Sequence, residues 1–380
     1  MNLLIKPVWV MIENLVQNEI GHEAYGTYSS LFSFVLIFSV LADWGISNYS
    51  TQQIAEDKNR YSAVYNSLFI VRIFILIIYP IVMVGLGWLF KYNINELKFL
   101  AIIALTQTFI YFLMFFRAKF QAFQNFKTDG FMSVVERVIL IFLVVMLLQN
   151  GLTLSQFINA RLMAIVITVV ISFTLVTKLY GFVKLKFSKQ EIQDTLKAAF
   201  PFTLVTLLYS FNERIDMVML ERMFSKHEAG LYAGAYRFYD AFMMFAWLIM
   251  PIFFSKFAKA NGEGTGASSL FNLGFLGVSI PMLMIAPFLF FDGKMLFFLF
   301  SKSSELEIFR MNRLFQLLVI SFVFNAFFVV MGTFLNASGH VKKVNWIIII
   351  SAVVNLTLNY LFIPKYGAYA AGVSTAISTG

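Results

Sequence analysis

The sequence predicts an all-α polytopic membrane protein with about twelve transmembrane helices in two six-helix lobes. Of its 380 residues, 59% are hydrophobic and 13% are charged, whereas soluble proteins average about 45 to 50% apolar and about 25% charged residues. The apolar residues form runs close to the roughly 20 residues that cross a bilayer. A long basic connection falls near the middle of the chain and divides these runs into two sets.

The apolar runs define the predicted helices in order. Polar residues separate twelve of them, near 2–19, 27–50, 62–90, 97–116, 131–149, 154–177, 198–220, 231–255, 270–291, 314–336, 344–363 and 366–380. The first run is short and the last ends at Gly380, so we expect the first helix to be clipped and the last to be truncated. A further apolar stretch, 295–300, is too short to span and is predicted to lie at the outer interface.

These runs predict an N-terminal lobe at residues 1–177, a cytoplasmic linker at 178–197 and a C-terminal lobe at 198–380. Loops on the side of the N-terminus carry more Lys and Arg than the opposite loops, which places both termini in the cytoplasm. The formal net charge of +9 is spread over many short loops, so no nucleic-acid surface is predicted. Cysteine is absent and the three histidines stand apart, so we expect no metal site.

Charged residues within the predicted spans are the candidate functional residues. Each costs roughly 2.5 to 3.5 kcal/mol at the bilayer centre on insertion scales, so such residues usually face a partner or a hydrated cavity. The candidate cations are Arg72, Arg137, Arg161, Arg214 and Arg237, and the candidate carboxylates are Asp43, Glu213, Asp216 and Asp240.

Four of these charges belong to the central helical hairpin. Measured from the turn near 221–230, Asp216 lies at a depth similar to that of Arg237, and Arg214 more loosely matches Asp240. The arginines could therefore bind an anionic substrate, because a guanidinium grips phosphate with two hydrogen bonds. Alternatively, all four residues form internal salt bridges that hold the two helices in register.

Asp43 is the candidate for a proton-binding or ion-binding carboxylate, because no basic residue lies within one helical turn of it. The alternatives are a hydrogen bond between helices and a position near the inner headgroups. Arg72, Arg137 and Arg161 could line a cavity, pair with Glu136, or extend to an interface.

The beginning of the chain is repeated in its second half. Residues 22–28 (HEAYGTY) match residues 227–232 (HEAGLY) once Tyr25 is skipped, and spans of similar layout follow each copy. Internal repeats around a site near the midplane are common in secondary transporters.

Several motifs together resemble one family. EAYGTY at 23–28, DWGI at 43–46, NERID at 212–216, EAGLY at 228–232 and IPKYGA at 363–368 occur in the order and spacing of Wzx-type polysaccharide-biosynthesis flippases. These belong to the multidrug/oligosaccharidyl-lipid/polysaccharide (MOP) exporter superfamily, and the resemblance covers nearly the whole chain.

The resemblance implies two pseudo-symmetric six-helix lobes around a central cavity, in a bacterial inner membrane. It implies a non-enzymatic flippase that moves polyprenyl-diphosphate-linked oligosaccharides to the outer leaflet by alternating access. The five arginines would then contact the diphosphate, and Tyr209, Tyr232 and Tyr236 could stack on sugars. No cofactor is expected beyond a coupling H⁺ or Na⁺, and polysaccharide polymerase machinery is a candidate partner. The alternatives are a multidrug antiporter of the same superfamily and a membrane polysaccharide polymerase or glycosyltransferase.

Overall fold

The computed structural model describes residues 2–44, 58–181, 190, 193, 207, 210–262 and 268–380. All regular structure within these residues is helical. The helices are α1 (Asn2–Ile20), α2 (His22–Ile37), α3 (Val40–Asp43), α4 (Lys58–Leu89), α5 (Ile94–Ala122), α6 (Phe126–Leu148), α7 (Leu154–Tyr180), α8 (residues 210–223), α9 (Lys226–Gly262), α10 (Ser268–Gly274), α11 (Ile280–Asp292), α12 (Glu305–Ala337), α13 (Val341–Tyr366) and α14 (Ala368–Thr379). A π-helix (Phe275–Ser279) joins α10 to α11, and a 3₁₀ helix (Gly293–Leu299) follows α11.

In the part of the chain that the structure describes, the helices confirm the predicted all-helical, multi-pass membrane protein. Within the described residues, eight helical stretches are long and apolar enough to cross a membrane. The count of twelve spans in two six-helix lobes stays a prediction. Most of the predicted linker 178–197 and of the predicted span 198–220 lies outside the described residues.

Helix starts differ from the predicted spans because polar residues begin several helices. α12 starts at Glu305, before the apolar run at 314, because Ser304 and Glu307 form a capping box. In this motif the serine hydroxyl and the glutamate carboxylate each accept a backbone N–H that lacks a partner within the helix. The same motif, formed by Asn93 and Glu96, starts α5.

The predicted span 27–50 is interrupted. α2 ends at Ile37, and the Ser39 hydroxyl donates to the carbonyl of Leu36 at 2.7 Å. Such a bond competes with regular helix geometry. α3 adds only four residues before Trp44 adopts a left-handed conformation with φ 49°.

Contacts divide the described residues into two compact units. The first contains Met1–Ile12 and Leu31–Ser210. Its core is formed by aromatic side chains of α4 and α5 with aliphatic ones of α7, and Tyr65 stacks on Phe115 with ring centroids 4.2 Å apart.

The second unit contains Glu13–Ser30 and Phe211–Gly380. In it α9 and α14 pack against α12, and α13 packs against α14. The 3₁₀ helix lies in the stretch predicted as an interface helix. It buries Phe297 and leaves Met295 and Phe298 exposed.

Candidate functional site

Arg214 and Asp240 form an ion pair between α8 and α9 in the second unit. The guanidinium Nη1 lies 3.3 Å from the Asp240 carboxylate, and the side chains are 24% and 30% exposed. Arg214 also lies over the ring of Tyr236 at 5.7 Å. The predicted pairing of Arg214 with Asp240 is confirmed, and part of the Arg214 side chain stays accessible.

Arg237 is enclosed by residues of α1 and α2. Its guanidinium donates to Asn14 and to Gln17, lies 3.6 Å from Glu13 and stacks over the ring of Tyr25 at 4.6 Å. Its side chain is 7% exposed. These contacts are with α1 and α2, not with Asp216 as the spacing predicted, so Arg237 fastens α9 to the first two helices.

Asp216 is surrounded by neutral donors. Asn359 donates to one carboxylate oxygen at 2.6 Å, while Tyr232, at 3.2 Å, and Thr375 donate to the other. The residue is 3% exposed, and the carbonyl oxygen of Asn359 is buried without a hydrogen-bond partner. A buried carboxylate beside an unsatisfied amide oxygen is an arrangement that accepts a proton or a small cation, since hard cations prefer oxygen ligands.

In the first unit, Asp43 is paired rather than isolated. Arg72 approaches it to 2.5 Å and also donates to the carbonyl of Ala42 at 2.9 Å. The interpretation of Asp43 as a carboxylate without a basic neighbour is therefore wrong. The pairing could not be predicted from local spacing, because Arg72 lies on another helix. The pair holds the end of α3.

The remaining candidates are spread over both units. Arg161, in the first unit, lies over the rings of Phe32 and Trp9 at 5.0 and 6.0 Å, and Arg137 is half-buried on α6. Glu213 is half-buried, and its backbone carbonyl accepts from Tyr236. Tyr209 lies outside the described residues.

Sequence reasoning missed the neutral side chains of this region. Asn14 and Gln17 hold Arg237, while Asn359 and Thr375 hold Asp216. Amides spaced by four residues in an apolar span, as at Asn355 and Asn359, were the available signal, because they lie on one helix face.

Charged residues buried within long apolar helices are typical of membrane transporters. The fold of this protein is shared with a multidrug resistance MATE family transporter of the MOP superfamily in an inward-facing conformation, with TM-score 0.82 and 16% identity over 98% of this chain and 91% of that chain. It is also shared with the lipid II flippase MurJ in an inward closed conformation, with TM-score 0.76 and 15% identity over 99% of this chain and 84% of that chain. A MOP superfamily transporter from Pyrococcus furiosus also shares the fold, with TM-score 0.70 and 14% identity over 99% of this chain and 90% of that chain.

The family follows from the sequence match. The profile of the polysaccharide biosynthesis protein family matches residues 2–257, and the MatE profile matches residues 201–361. Because the first match covers more than half of the chain, the protein belongs to the polysaccharide biosynthesis protein family. None of the proteins with curated function matches the sequence significantly. The predicted resemblance to polysaccharide-biosynthesis proteins is confirmed by the first profile, and the solved proteins that share the fold include transporters of the MOP superfamily and a lipid II flippase.

Proposed function

We propose that the protein is a flippase that moves polyprenyl-diphosphate-linked oligosaccharides from the cytoplasmic to the outer leaflet of a bacterial inner membrane. The translocated oligosaccharides supply polysaccharide biosynthesis, such as that of O-antigen, capsule or exopolysaccharide. Movement occurs by alternating access.

The observation that carries this proposal is the partly exposed Arg214. A diphosphate group that links a lipid to a sugar carries two negative charges and needs a cation that stays charged within the membrane, and guanidinium meets that need. Arg214 offers such a cation beside the aromatic ring of Tyr236, and the Asp240 carboxylate lies 3.3 Å from it. Family membership and the fold shared with a lipid II flippase support the same substrate class.

The test measures which leaflet holds the lipid-linked oligosaccharide. Spheroplasts with the protein, without it, and with Arg214→Ala are probed by lectin from outside. We expect deletion to abolish the external signal and Arg214→Ala to reduce it sharply. Arg313→Ala, which removes an exposed arginine, is the matched control and keeps the signal. An unchanged signal on deletion, in a strain without another flippase, refutes the proposal.

We also propose that Asp216 binds the coupling ion, H⁺ or Na⁺. Its carboxylate lies among Asn359, Thr375 and Tyr232, and no arginine or lysine is among the partners seen in the described residues. A bound cation would satisfy both the carboxylate and the free oxygen of Asn359.

A multidrug antiporter is the second candidate, favoured by the MatE match over residues 201–361. Both functions use an ion-binding carboxylate, so the substrate must be tested directly. Ethidium efflux that requires Asp216, together with unchanged oligosaccharide sidedness on deletion, would favour this second function.

A further inference from the structure

The two copies of the repeated motif cross at the starts of α2 and α9. A Cβ atom added to Gly26 would lie 1.9 Å from the carbonyl oxygen of Lys226, and one added to Gly230 would lie 1.9 Å from that of His22. Only glycine fits at either position, because a side chain would overlap the opposite backbone. The crossing is reciprocal, and it presses His22 against α9 at the end of the molecule predicted to lie outside.

A chain of hydrogen bonds runs from Arg237 to His22. Arg237 Nη2 donates to Gln17 Oε1 at 2.8 Å. Because guanidinium can only donate, the oxygen of the Gln17 amide must face it. The Gln17 nitrogen is therefore the donor to the carbonyl of Gly230 at 2.7 Å and to His22 Nδ1 at 2.9 Å.

This chain fixes the protonation of His22. Nδ1 accepts from Gln17, so the ring proton resides on Nε2, which donates to the Ser303 hydroxyl at 2.8 Å. We call Gln17, His22, Gly230, Arg237 and Ser303 the outer clasp. It joins α1, α2, α9 and the segment before α12, all within the second unit.

The surroundings of His22 favour the neutral ring. It is 8% exposed and stacks on Phe300 with ring centroids 5.9 Å apart. Burial lowers the pKa of His22 to about 4; the Glu307 carboxylate raises it, while His227 and Arg237 lower it further. These three are the charged or titratable groups that act on the ring from α9 and α12.

We propose that His22 is a proton-sensitive switch, in which proton uptake at Nδ1 opens the outer clasp. A proton there faces the NH₂ group of Gln17, and Gln17 cannot turn its oxygen toward it because Arg237 holds that oxygen. The hydrogen bond is lost, and the imidazolium is stable only when the ring reaches water. The switch belongs to the outer clasp alone and does not depend on the proposed substrate.

The direction of the pH effect follows from linkage. In the open clasp the imidazole is hydrated and has its ordinary pKa of about 6.5, so the open form binds more protons than the closed form between pH 4 and 6.5. Acidification therefore favours opening. From pH 7.5 to 5.5 the ratio of open to closed clasp should rise about tenfold.

Cysteine labelling of the purified protein tests this switch, because the chain has no cysteine of its own. Ala229→Cys places a thiol beside Gly230, at a position that is 0% exposed. Its maleimide labelling rate is measured at pH 7.5 and 5.5 and divided by that of Asn150→Cys, an exposed site that corrects for thiol ionisation. Ser30→Cys, also 0% exposed, is a second reporter.

We expect the corrected rate to rise about tenfold at pH 5.5, and the rise to disappear in His22→Asn or His22→Gln. Of these two variants, the one that still labels slowly at pH 7.5 keeps the clasp closed and is used for the comparison. An unchanged corrected rate with His22 present overturns the switch, as does an equal rise without it. If both variants label rapidly at pH 7.5, His22 only holds the clasp together, and the switch is also overturned. If the switch is overturned, the result expected from the lectin assay stays the same.

Discussion

Arg214 and Arg237 carry the same charge but differ in what surrounds them. Arg214 pairs with Asp240 at 3.3 Å and its side chain is 24% exposed, whereas the Arg237 side chain is 7% exposed and contacts Glu13, Asn14 and Gln17. Removing one member of a buried ion pair costs about 3 to 5 kcal/mol, because the other charge is left buried. Partly exposed pairs contribute only about 0 to 1 kcal/mol. Burial therefore assigns Arg237 to stability and leaves Arg214 available to a substrate.

The matched substitutions Arg237→Met and Arg214→Met test this difference. We expect Arg237→Met to lower the free energy of unfolding by about 3 to 5 kcal/mol and Arg214→Met to lower it by less than about 1 kcal/mol. Thermal unfolding in detergent gives both values. Equal losses would mean that Arg214 is also a structural residue.

The neutral surroundings of Asp216 lead to a prediction about ions. If Na⁺ is the coupling ion, Na⁺ at a hundred times its dissociation constant should stabilise the folded protein by about 2.7 kcal/mol, since only the folded state forms the site. Asp216→Asn removes the negative charge and should abolish this stabilisation. Thermal unfolding of both proteins in Na⁺ and in choline measures the difference.

Asp129→Asn is the control for this ion experiment. It alters a carboxylate that Arg117 binds at 2.7 Å in the first unit, so it should leave the response to Na⁺ intact. A protein whose stability responds equally to Na⁺ and choline would point to H⁺ at Asp216 instead.

At the scale of helices, the crossing of α2 and α9 depends on the absence of side chains. Gly26→Ala would place a methyl group 1.9 Å from a backbone oxygen, so the helices must separate. Overpacking of this kind costs about 1 to 3 kcal/mol. In Gly85→Ala, within α4, the new methyl group meets no atom within 4 Å, and we expect a gain of about 0.5 to 1 kcal/mol. Thermal unfolding separates the two outcomes; similar effects would mean that the crossing is loose.

Sequence patterns predicted the helices better than their interruptions. Apolar runs locate a helix because burial in lipid requires them, and capping boxes such as Ser304 with Glu307 explain where α12 starts. The end of α3 at Asp43 could not be predicted, because Arg72 on α4 binds Asp43 and the carbonyl of Ala42. Such a contact joins residues far apart in the chain, and no local pattern records it.

The same limit applies to the site. Charges within apolar runs stand out, so the Arg214 and Asp240 pair was predictable from depth alone. Asn14 and Gln17 were not, because neutral amides are common and their partner Arg237 is more than 200 residues away. Polar side chains that hold a buried charge are found only when the helices are packed.

At the scale of the whole molecule, α1 and α2 each run through both compact units. Glu13–Ser30, which contains the end of α1 and the start of α2, groups with residues 211–380, while the rest of both helices groups with the first unit. The outer clasp binds this segment to α9 through Arg237, Gln17 and Gly230. In the alternating-access cycle that we propose, the outer end would open either by bending of α1 and α2 or by opening of the clasp.

A disulfide across the clasp distinguishes these two routes. The amide nitrogen of Asn18 lies 3.3 Å from the hydroxyl oxygen of Ser301, so we expect an oxidant to join Asn18→Cys and Ser301→Cys in a disulfide that holds α1 on the segment before α12. We expect oxidation to stop the appearance of lipid-linked oligosaccharide outside spheroplasts, and a reductant to restore it. Ser321→Cys with Thr379→Cys joins α12 to α14, whose hydroxyls lie 2.9 Å apart, and should leave transport intact. Full transport with the Asn18→Cys and Ser301→Cys disulfide in place would show that the clasp stays closed and that α1 and α2 bend instead.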